Sequence, residues 1–230
     1  MYKPVYDAKH RFMPYATDSF SPPSIEQLGF REPLLCTACE GRFSVWEGKL
    51  KQLVDALIAP PAHGMSVIHD AGNILIYDNV DYSAIKRAVL SIQWRMSIAQ
   101  REPWQAYALG SSEENLRKAL LSDAHIPCYA WPTTLSVIVH EGETVPPLML
   151  LYKEPTVLDG LLGHTFLAHG VMFTTYLTEK DFPMKLCGGV LNETGCLPVP
   201  KIPLTEVAQD LEVDMRSDFN ARTRKFHGKA

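Results

Sequence analysis

The amino-acid sequence predicts an α+β fold in which helices come first and a small antiparallel sheet follows. Three segments before residue 122 of the 230-residue chain carry apolar residues three or four positions apart, which is the spacing of an amphipathic helix. From Pro132 onward the chain changes to β-branched and aromatic runs separated by Gly and Pro, which are typical of strands and turns. Because the strands follow the helices and do not alternate with them, the class is α+β.

The N-terminal part is predicted to be an irregular lead-in, followed by a short strand and the first helix. Residues 1–34 are rich in proline and aromatic residues and show no regular period. The apolar pair Leu34-Leu35 then precedes a helix that is predicted to begin at or just after Cys39 and to stop before Pro60. Its inward positions are Phe43, Trp46, Leu50, Leu53 and Leu57. With a cysteine pair between them, this strand and helix resemble a zinc knuckle.

A β-hairpin and a long helix are predicted next. The runs at residues 67–68 and 74–77 flank residues 70–73, whose Asp, Gly and Asn are turn formers. Asp81 is then placed to cap a helix over residues 82 to about 100. Because this helix is apolar on two faces, we expect it to be packed on two sides at the centre of the fold.

A third helix, three strands and a short final helix complete the predicted elements. The S-S-E-E run at residues 111–114 has the form of a capping box. The helix that it starts is predicted to direct Leu116, Leu120 and Leu121 inward. Strands are predicted at residues 135–140, 148–152 and 166–177, and the final helix at residues 205–212.

These elements divide the chain into three regions. Residues 1–62 hold the lead-in and the helix of the cysteine pair, and residues 63–215 hold a core of helices and antiparallel sheet. Residues 216–230 form a basic tail that is predicted to be disordered. The tail has a net charge of +4, whereas the rest of the chain has a net charge of -8.

Composition and charge exclude several classes of protein. With 46% hydrophobic residues and 5 Cys, the chain fits neither a disordered protein nor a disulfide scaffold. It has no apolar run of the roughly 18 residues that span a membrane and no secretory signal, so we expect a cytoplasmic protein. A formal net charge of -4 is unfavourable for a protein whose main task is binding phosphate backbones. The sequence contains no motif for nucleotide cofactors, α/β-hydrolases or zincins.

One motif carries recognisable chemistry, the C-x-x-C pair of Cys36 and Cys39. Two thiolates at this spacing can bind one zinc ion with Zn–S bonds of about 2.3 Å, and a helix N-terminus favours their ionised form. A structural zinc takes four ligands, however, and the sequence has no second C-x-x-C. Candidates for the remaining ligands are His10, His63, His69, Cys128, Cys187 and Cys196.

Two other interpretations of the cysteine pair stay open. The first is that both residues are partly buried free thiols with a packing role. The second is a redox-active pair, because a helix N-terminus lowers the pKa of a thiol. The redox interpretation lacks the βαβ frame of thioredoxin-like proteins, since an irregular segment precedes the pair and a hairpin follows.

Three stretches of the sequence resemble one family of proteins. They are LLCTACEGRFSVWE at residues 34–47, SIQWRMSIA at residues 91–99 and ALGSSEENLRKALL at residues 108–121. Their order is similar to that in a largely uncharacterised bacterial family, in which a treble-clef zinc unit related to HNH endonucleases precedes a helical region. The resemblance covers residues 1–125 and implies that residues 1–62 are a partial treble clef with Cys36 and Cys39 as zinc ligands.

The chain departs from the pattern of this family at its N-terminus. Fuller members carry an earlier C-x-x-C and an S-H-I-I-P-like segment upstream of a stretch similar to residues 1–7, and this sequence has neither. We therefore expect a family member with a late start, whether natural or misassigned. The missing segment would supply two zinc ligands and the histidine with which an HNH nuclease activates water.

Few residues remain as catalytic candidates. The eight histidines are scattered, and His69, Asp70 and Asn73 form the only local group with the residue types of an HNH site. Asp and Asn are equally common in the turn of a hairpin, so the group has a structural explanation as well. We expect His164 and His169 to be ordinary strand and turn residues.

The sequence favours a non-catalytic or degenerate HNH-like module that acts in a nucleic-acid-associated or protein interaction, in a bacterial defence or mobile-element setting. The first alternative is an active metal-dependent nuclease, which a basic cleft would favour and salt-paired arginines would oppose. The arginines concerned are Arg87, Arg95, Arg101 and Arg117. The second alternative is a protein-binding module without metal. A homodimer could complete a two-thiolate site across a two-fold axis, and no membrane partner is expected.

Overall fold

The computed structural model describes residues 32–58, 65–70, 72–100, 104, 107–144, 150–158, 160–178 and 189–210. The helices are α1 (Thr37–Ile58), α2 (Tyr82–Ile98), α3 (Ser112–Leu121) and α4 (Leu204–Asp210). The strands are β1 (Ser66–Asp70), β2 (Ile74–Asp78), β3 (Thr133–His140), β4 (Glu143–Thr144), β5 (Leu150–Leu158), β6 (Leu161–Ala168), β7 (Val171–Tyr176) and β8 (Leu197–Pro203). The predicted α+β class is confirmed, whereas the predicted lead-in up to residue 31 and the basic tail lie outside the described residues.

The strands form a mixed sheet that is larger than the small antiparallel sheet predicted. Seven strands follow the order β1-β2-β8-β3-β7-β6-β5, and the two-residue β4 pairs with β3. Strands β3 and β8 run parallel, and the other pairs are antiparallel. The predicted hairpin of residues 67–77 is confirmed as β1 and β2, and it extends this sheet at one edge.

Strand β8 was not predicted, because three of its seven residues are prolines. The main-chain N–H of Lys201 donates to the oxygen of Asn73, so the odd-numbered residues of β8 direct their N–H groups toward the β2 side. Pro198 and Pro200, which lack an N–H group, therefore face the β3 side. Pairing with β3 begins only at Lys201, so neither proline removes a ladder hydrogen bond at its position.

The run predicted as one strand at residues 166–177 is instead a hairpin. Strands β6 and β7 pair in antiparallel fashion, with Ala168 opposite Val171. The two residues between them, His169 and Gly170, both have positive φ, 55° and 73°. Two consecutive residues with positive φ form the tight turn whose twist suits a hairpin. His169 was expected to be a strand or turn residue, but the run was not divided there, because a single Gly is the only strong turn former in it.

Helix α1 begins two residues earlier than predicted, at Thr37. The main-chain N–H of Glu40 donates to the oxygen of Cys36 over 3.0 Å, which closes the first helical turn. The apolar pattern starts only at Phe43, so this turn carried no periodic signal. The buried face of the helix contains Phe43, Leu50, Leu53, Val54, Ala56 and Leu57.

Helix α2 has the central position that its two apolar faces predict. Its first turn is capped as expected, because Asp81 accepts the main-chain N–H of Ala84 over 3.1 Å. Residues as different as Leu90, Ser91 and Gln93 are fully buried along its length. The helix packs against α1 and α3 and hydrogen-bonds to β6 through Gln93, so it lies between the other helices and the sheet.

Helix α3 forms where it was predicted, but without the predicted capping box. Ser111 makes no side-chain cap hydrogen bond, and Glu114 binds Arg117 instead of the helix start. Leu116 and Leu120 are buried as expected, whereas Leu121 is 40% exposed. Leu121 is the last residue of this helix, where the neighbouring elements no longer cover its face.

One main hydrophobic cluster joins the helices to the sheet. Its buried members include Leu53 of α1, Leu90 of α2, Leu116 of α3, Phe173 of β7 and Val199 of β8. The cluster therefore contains residues from both sides of the predicted boundary at residue 62. No described helix combines the length and the apolar composition that a membrane crossing requires.

Candidate functional site

The predicted metal ligands Cys36 and Cys39 lie at the beginning of α1. Cys36 is the residue before the helix and is exposed, whereas Cys39 lies in the first turn and is partly buried. Residues three apart at a helix start are neighbours on its surface. The structure thus places both cysteines at the N-terminus of one helix.

The two thiols have opposite pKa shifts. The pKa of Cys36 is lowered, chiefly by a hydrogen bond from the main-chain N–H of Cys39 and further by the Cys39 side chain. The pKa of Cys39 is raised, chiefly by its hydrogen bond to Cys36 and further by burial. Cys36 is therefore the thiol that ionises first, and the helix N-terminus stabilises its thiolate.

The other ligand candidates do not complete this site within the described residues. His69 lies on β1, Cys128 in the loop after α3 and Cys196 next to β8. In the part of the chain that the structure describes, no three His, Cys, Asp or Glu residues are grouped so as to hold a metal ion. His10, His63 and Cys187 lie outside the described residues.

Arg87 does not contribute to a basic cleft. Its side chain is buried, and its guanidinium donates to the main-chain oxygens of Ala119, Ser122 and Ala124 at the end of α3. Burial lowers the pKa of this guanidinium, although an arginine remains charged. Its role is to bind the carbonyl end of a helix. Arg101, which was also considered for a cleft, lies outside the described residues.

Arg95 and Arg117 are paired with carboxylates. Arg95 binds Glu47 of α1 in an ion pair whose two side chains are each 23% exposed. Arg117 binds both carboxylate oxygens of Glu114, at 2.7 and 2.8 Å. The three arginines of the predicted cleft that the structure describes are therefore engaged with carboxylates or carbonyls, which opposes the nuclease alternative.

The group of His69, Asp70 and Asn73 has the structure of an ordinary hairpin turn. Asp70 accepts the main-chain N–H of Gly72 over 2.9 Å, and its carboxylate lies 3.6 Å from the Lys201 ammonium. Asn73 accepts a hydrogen bond from Lys201 through its main-chain oxygen. These contacts stabilise the turn and its attachment to β8, and they give the Asp70 carboxylate a structural role.

A second polar group, which the sequence did not reveal, surrounds Glu193. Its carboxylate accepts the main-chain N–H of Cys128 over 2.8 Å and lies 3.3 Å from Nε2 of His125. Burial and a hydrogen bond to Glu193 raise the pKa of the Cys128 thiol. Burial alone would raise the pKa of Glu193, but hydrogen bonds, first that from the Cys128 N–H, leave it lowered. A protonated thiol beside a carboxylate is a weak nucleophile. The contacts of Glu193 have a structural role instead, because they join its loop to the loop of His125 and Cys128.

Lys86 of α2 is the most unusual charged residue among those that the structure describes, because it has no solvent exposure. Its ammonium donates to the main-chain oxygen of Trp131 and lies 3.4 Å from Oγ1 of Thr133. Burial lowers the pKa of Lys86 to about 7, and the negative charge of Glu193 only partly opposes this. A lysine inside a helix that is apolar on two faces was the sequence signal for this site.

The polar contacts of Lys86 continue across the sheet as a row of buried side chains. Thr133 of β3 lies opposite Thr175 of β7, which in turn lies opposite His164 of β6. All three are fully buried, and the hydroxyl oxygens of the two threonines are 3.2 Å apart. We name Lys86, Thr133, Thr175 and His164 the buried polar row.

His164 ends the buried polar row. Burial lowers the pKa of its imidazole, and neither ring nitrogen has a hydrogen-bond partner among the described residues. The ring packs edge-on against Tyr107, with the ring centres 5.0 Å apart. Nε2 of Gln93 donates to the main-chain oxygen of His164 over 3.2 Å. As predicted, His164 is a strand residue and His169 a turn residue.

Comparison of the chain with protein-family models, curated proteins and solved structures finds no match.

Proposed function

We propose that this chain is a non-catalytic, HNH-like module in which Cys36 and Cys39 supply two ligands of a structural zinc and which acts by binding a protein partner. The observation that carries the proposal is the position of two thiols three residues apart at the start of α1, Cys36 just before the helix and Cys39 in its first turn. Thiolates at a helix N-terminus match the donor chemistry and the charge that zinc prefers.

The proposed zinc would connect a segment outside the described residues, or a second chain, to the core. Two cysteines provide half of a tetrahedral ligand set, so two further ligands are needed. One turn beyond Cys39, Phe43 anchors α1 in the hydrophobic core, and its ring stacks on Trp46 with the ring centres 5.2 Å apart. A ligand bound at the start of this helix would therefore be held against a rigid element.

A protein partner fits the described surface better than a nucleic acid. The side chains of Arg87, Arg95 and Arg117 are already bound to carbonyls or carboxylates, which leaves fewer cations for a phosphate backbone. At the edge of the sheet, by contrast, β1 is exposed along its whole length and includes the apolar residues Val67 and Ile68. An exposed edge strand is a common site for protein binding.

The zinc is tested by elemental analysis of the purified full chain. We expect one zinc per chain if the ligands come from one chain, or one per two chains if a dimer shares the ion. The double variant Cys36→Ser, Cys39→Ser should lose the zinc and unfold at a lower temperature, whereas the control Cys196→Ser should keep both properties. Wild-type protein without zinc would overturn the zinc proposal.

The non-catalytic part is tested separately with plasmid DNA. The purified chain should leave plasmid intact in the presence of Mg²⁺, Mn²⁺ or Zn²⁺. Metal-dependent cutting that His69→Ala abolishes would contradict the proposal.

Partner binding is tested by cross-linking in bacterial lysate, in which the variant Val67→Lys, Ile68→Lys should lose proteins that the wild type and the control Val45→Lys retain. Val45 is 65% exposed on α1. The control therefore also replaces an exposed valine by lysine, but it leaves β1 unchanged.

A further inference from the structure

Two of the candidate zinc ligands are attached to the far end of α1 from the cysteine pair. The hydroxyl of Tyr77 on β2 donates to the main-chain oxygen of Ala56 over 3.4 Å, which fixes β2 to the last turns of this helix. Since a helix rises about 1.5 Å per residue, Ala56 lies about 28 Å from the first residue of α1. His69 is on β1, which pairs with β2, and Cys196 precedes the residue that pairs with Tyr77.

Cys128 is separated from the cysteine pair by the length of α2. The hydroxyl of Tyr82, the first residue of α2, donates to the oxygen of Ile126 over 2.7 Å, two residues before Cys128. At the other end of α2, the carboxylate of Glu32 accepts the main-chain N–H of Gln100 over 3.0 Å. Glu32 begins the short segment that leads to the cysteine pair. The 17 residues of α2 span about 25 Å between these two contacts.

The two ligands that the pair lacks therefore do not come from the described residues of the same chain, which agrees with the absence there of any group of three metal-binding side chains. Cys36 is exposed and Cys39 is partly exposed at the beginning of α1, so both are accessible to another molecule. A second copy of the chain presents the same two thiols. Four thiolates are a common ligand set of structural zinc.

A two-fold axis through the metal would join the two pairs with few constraints. A site within one chain would need two ligands from His10, His63 and Cys187, which belong to three separate segments of the sequence. Each segment that a metal ties down costs loop-closure entropy. In a two-fold dimer, by contrast, each copy supplies two ligands from one helix start, and every contact occurs twice.

The charges at the start of α1 suit such a dimer. Zinc with four thiolates has a net charge of about -2, and each helix N-terminus contributes roughly half a positive charge. Two helix starts that meet at the metal therefore offset about half of that charge. Next to the cysteines, Glu40 and Arg42 are exposed and opposite in charge, so the two surfaces do not repel each other.

We propose that the zinc is shared by two copies of this chain, and that Cys36 and Cys39 of each copy supply its four ligands across a two-fold axis. This proposal rests on the proposed function, because it names the source of the two ligands that the same zinc lacks. The dimer forms through the start of α1 and leaves β1, at the edge of the sheet, available to a protein partner.

The experiment measures the mass of the full chain by sedimentation velocity and its zinc content by elemental analysis, before and after treatment with a chelator. We expect twice the mass of one chain and one zinc per two chains. Chelation should give monomers, and added zinc should restore the dimer. Because chelation is applied to the wild type, this result does not depend on whether a variant folds.

Variants of the chain identify the ligands. The double variant Cys36→Ser, Cys39→Ser should stay monomeric in the presence of zinc. The triple variant His10→Ala, His63→Ala, Cys187→Ser removes every candidate ligand outside the described residues and should keep both the dimer and its zinc. The control Cys128→Ser should behave as the wild type does.

Two results would overturn the shared site and leave the proposed zinc intact. They are a monomer that binds one zinc per chain, and loss of zinc from the triple variant. A dimer that persists in the chelator would also contradict the proposal, because its contacts would then not require the metal. Wild-type protein that takes up no zinc refutes the proposed function itself, and the shared site with it.

Discussion

The guanidinium carbon of Arg87 on α2 lies 5.3 Å from the ring centre of Trp46 on α1. The nitrogens of the same group donate to the oxygens of Ala119 and Ser122 at the end of α3. One buried cation of α2 therefore contacts both of the helices that pack against α2, which are α1 and α3. This explains why an arginine that looked available for a phosphate is part of the framework.

We expect the substitution Arg87→Leu to lower the free energy of unfolding by about 2 to 4 kcal/mol, because buried carbonyl oxygens lose a charged donor. The measurement is urea unfolding followed by circular dichroism. The control Arg117→Leu removes an exposed pair with Glu114 and should leave the free energy of unfolding nearly unchanged, because exposed ion pairs add little to stability. Equal losses in the two variants would mean that the contacts of Arg87 add nothing to stability.

The sequence predicted those elements whose signal lies within the element itself. Helix α2 repeats its apolar residues over 17 positions and has Asp81 before it, so both its extent and its cap could be predicted. Strand β8 could not, since Pro198 and Pro200 are tolerated only because of where the neighbouring strands begin to pair. That information is present in the three-dimensional arrangement and not in the strand.

The candidate sites divide in the same way. Cys36 and Cys39 are three residues apart, so one helical turn brings them together and their spacing predicts it. Cys128 and Glu193 are 65 positions apart, and the buried polar row joins residues of α2, β3, β7 and β6. Such groups depend on strand order and register, which no local pattern encodes.

The stability of the protein should depend on pH through Lys86. Burial lowers the pKa of Lys86 in the folded state to about 7, whereas an unfolded lysine has a pKa of about 10.4. Between these values the unfolded chain holds a proton that the folded chain has released. The free energy of unfolding therefore rises with pH across this window, by up to about 1.4 kcal/mol per pH unit from this group, and the gain is lost as pH falls to 7.

The substitution Lys86→Met tests this dependence. Met fills a similar volume without a charge, and Thr133 still donates to the Trp131 oxygen over 3.1 Å. We expect the variant to be more stable than the wild type at pH 7 and to show a flatter profile from pH 7 to 10 in urea unfolding. The control Lys118→Met, at a side chain that is 68% exposed, should keep the wild-type slope. If Lys86→Met kept that slope too, Lys86 would not be the titrating group.

His164 should limit the stability of the fold under acid conditions. Burial lowers the pKa of its imidazole below the ordinary histidine value of about 6.5. As the pH is lowered past 6.5, the unfolded chain therefore takes up a proton before the folded chain does, and the free energy of unfolding decreases. The substitution His164→Leu removes two buried nitrogens that lack partners, so we expect a gain of about 1 kcal/mol at pH 7 and a larger gain at pH 5. Urea unfolding at both pH values measures this, with the exposed His140→Leu on β3 as the control. A loss of stability in His164→Leu at pH 7 would mean that the imidazole nitrogens are satisfied in solution, since removing an unsatisfied polar group should not destabilise the core.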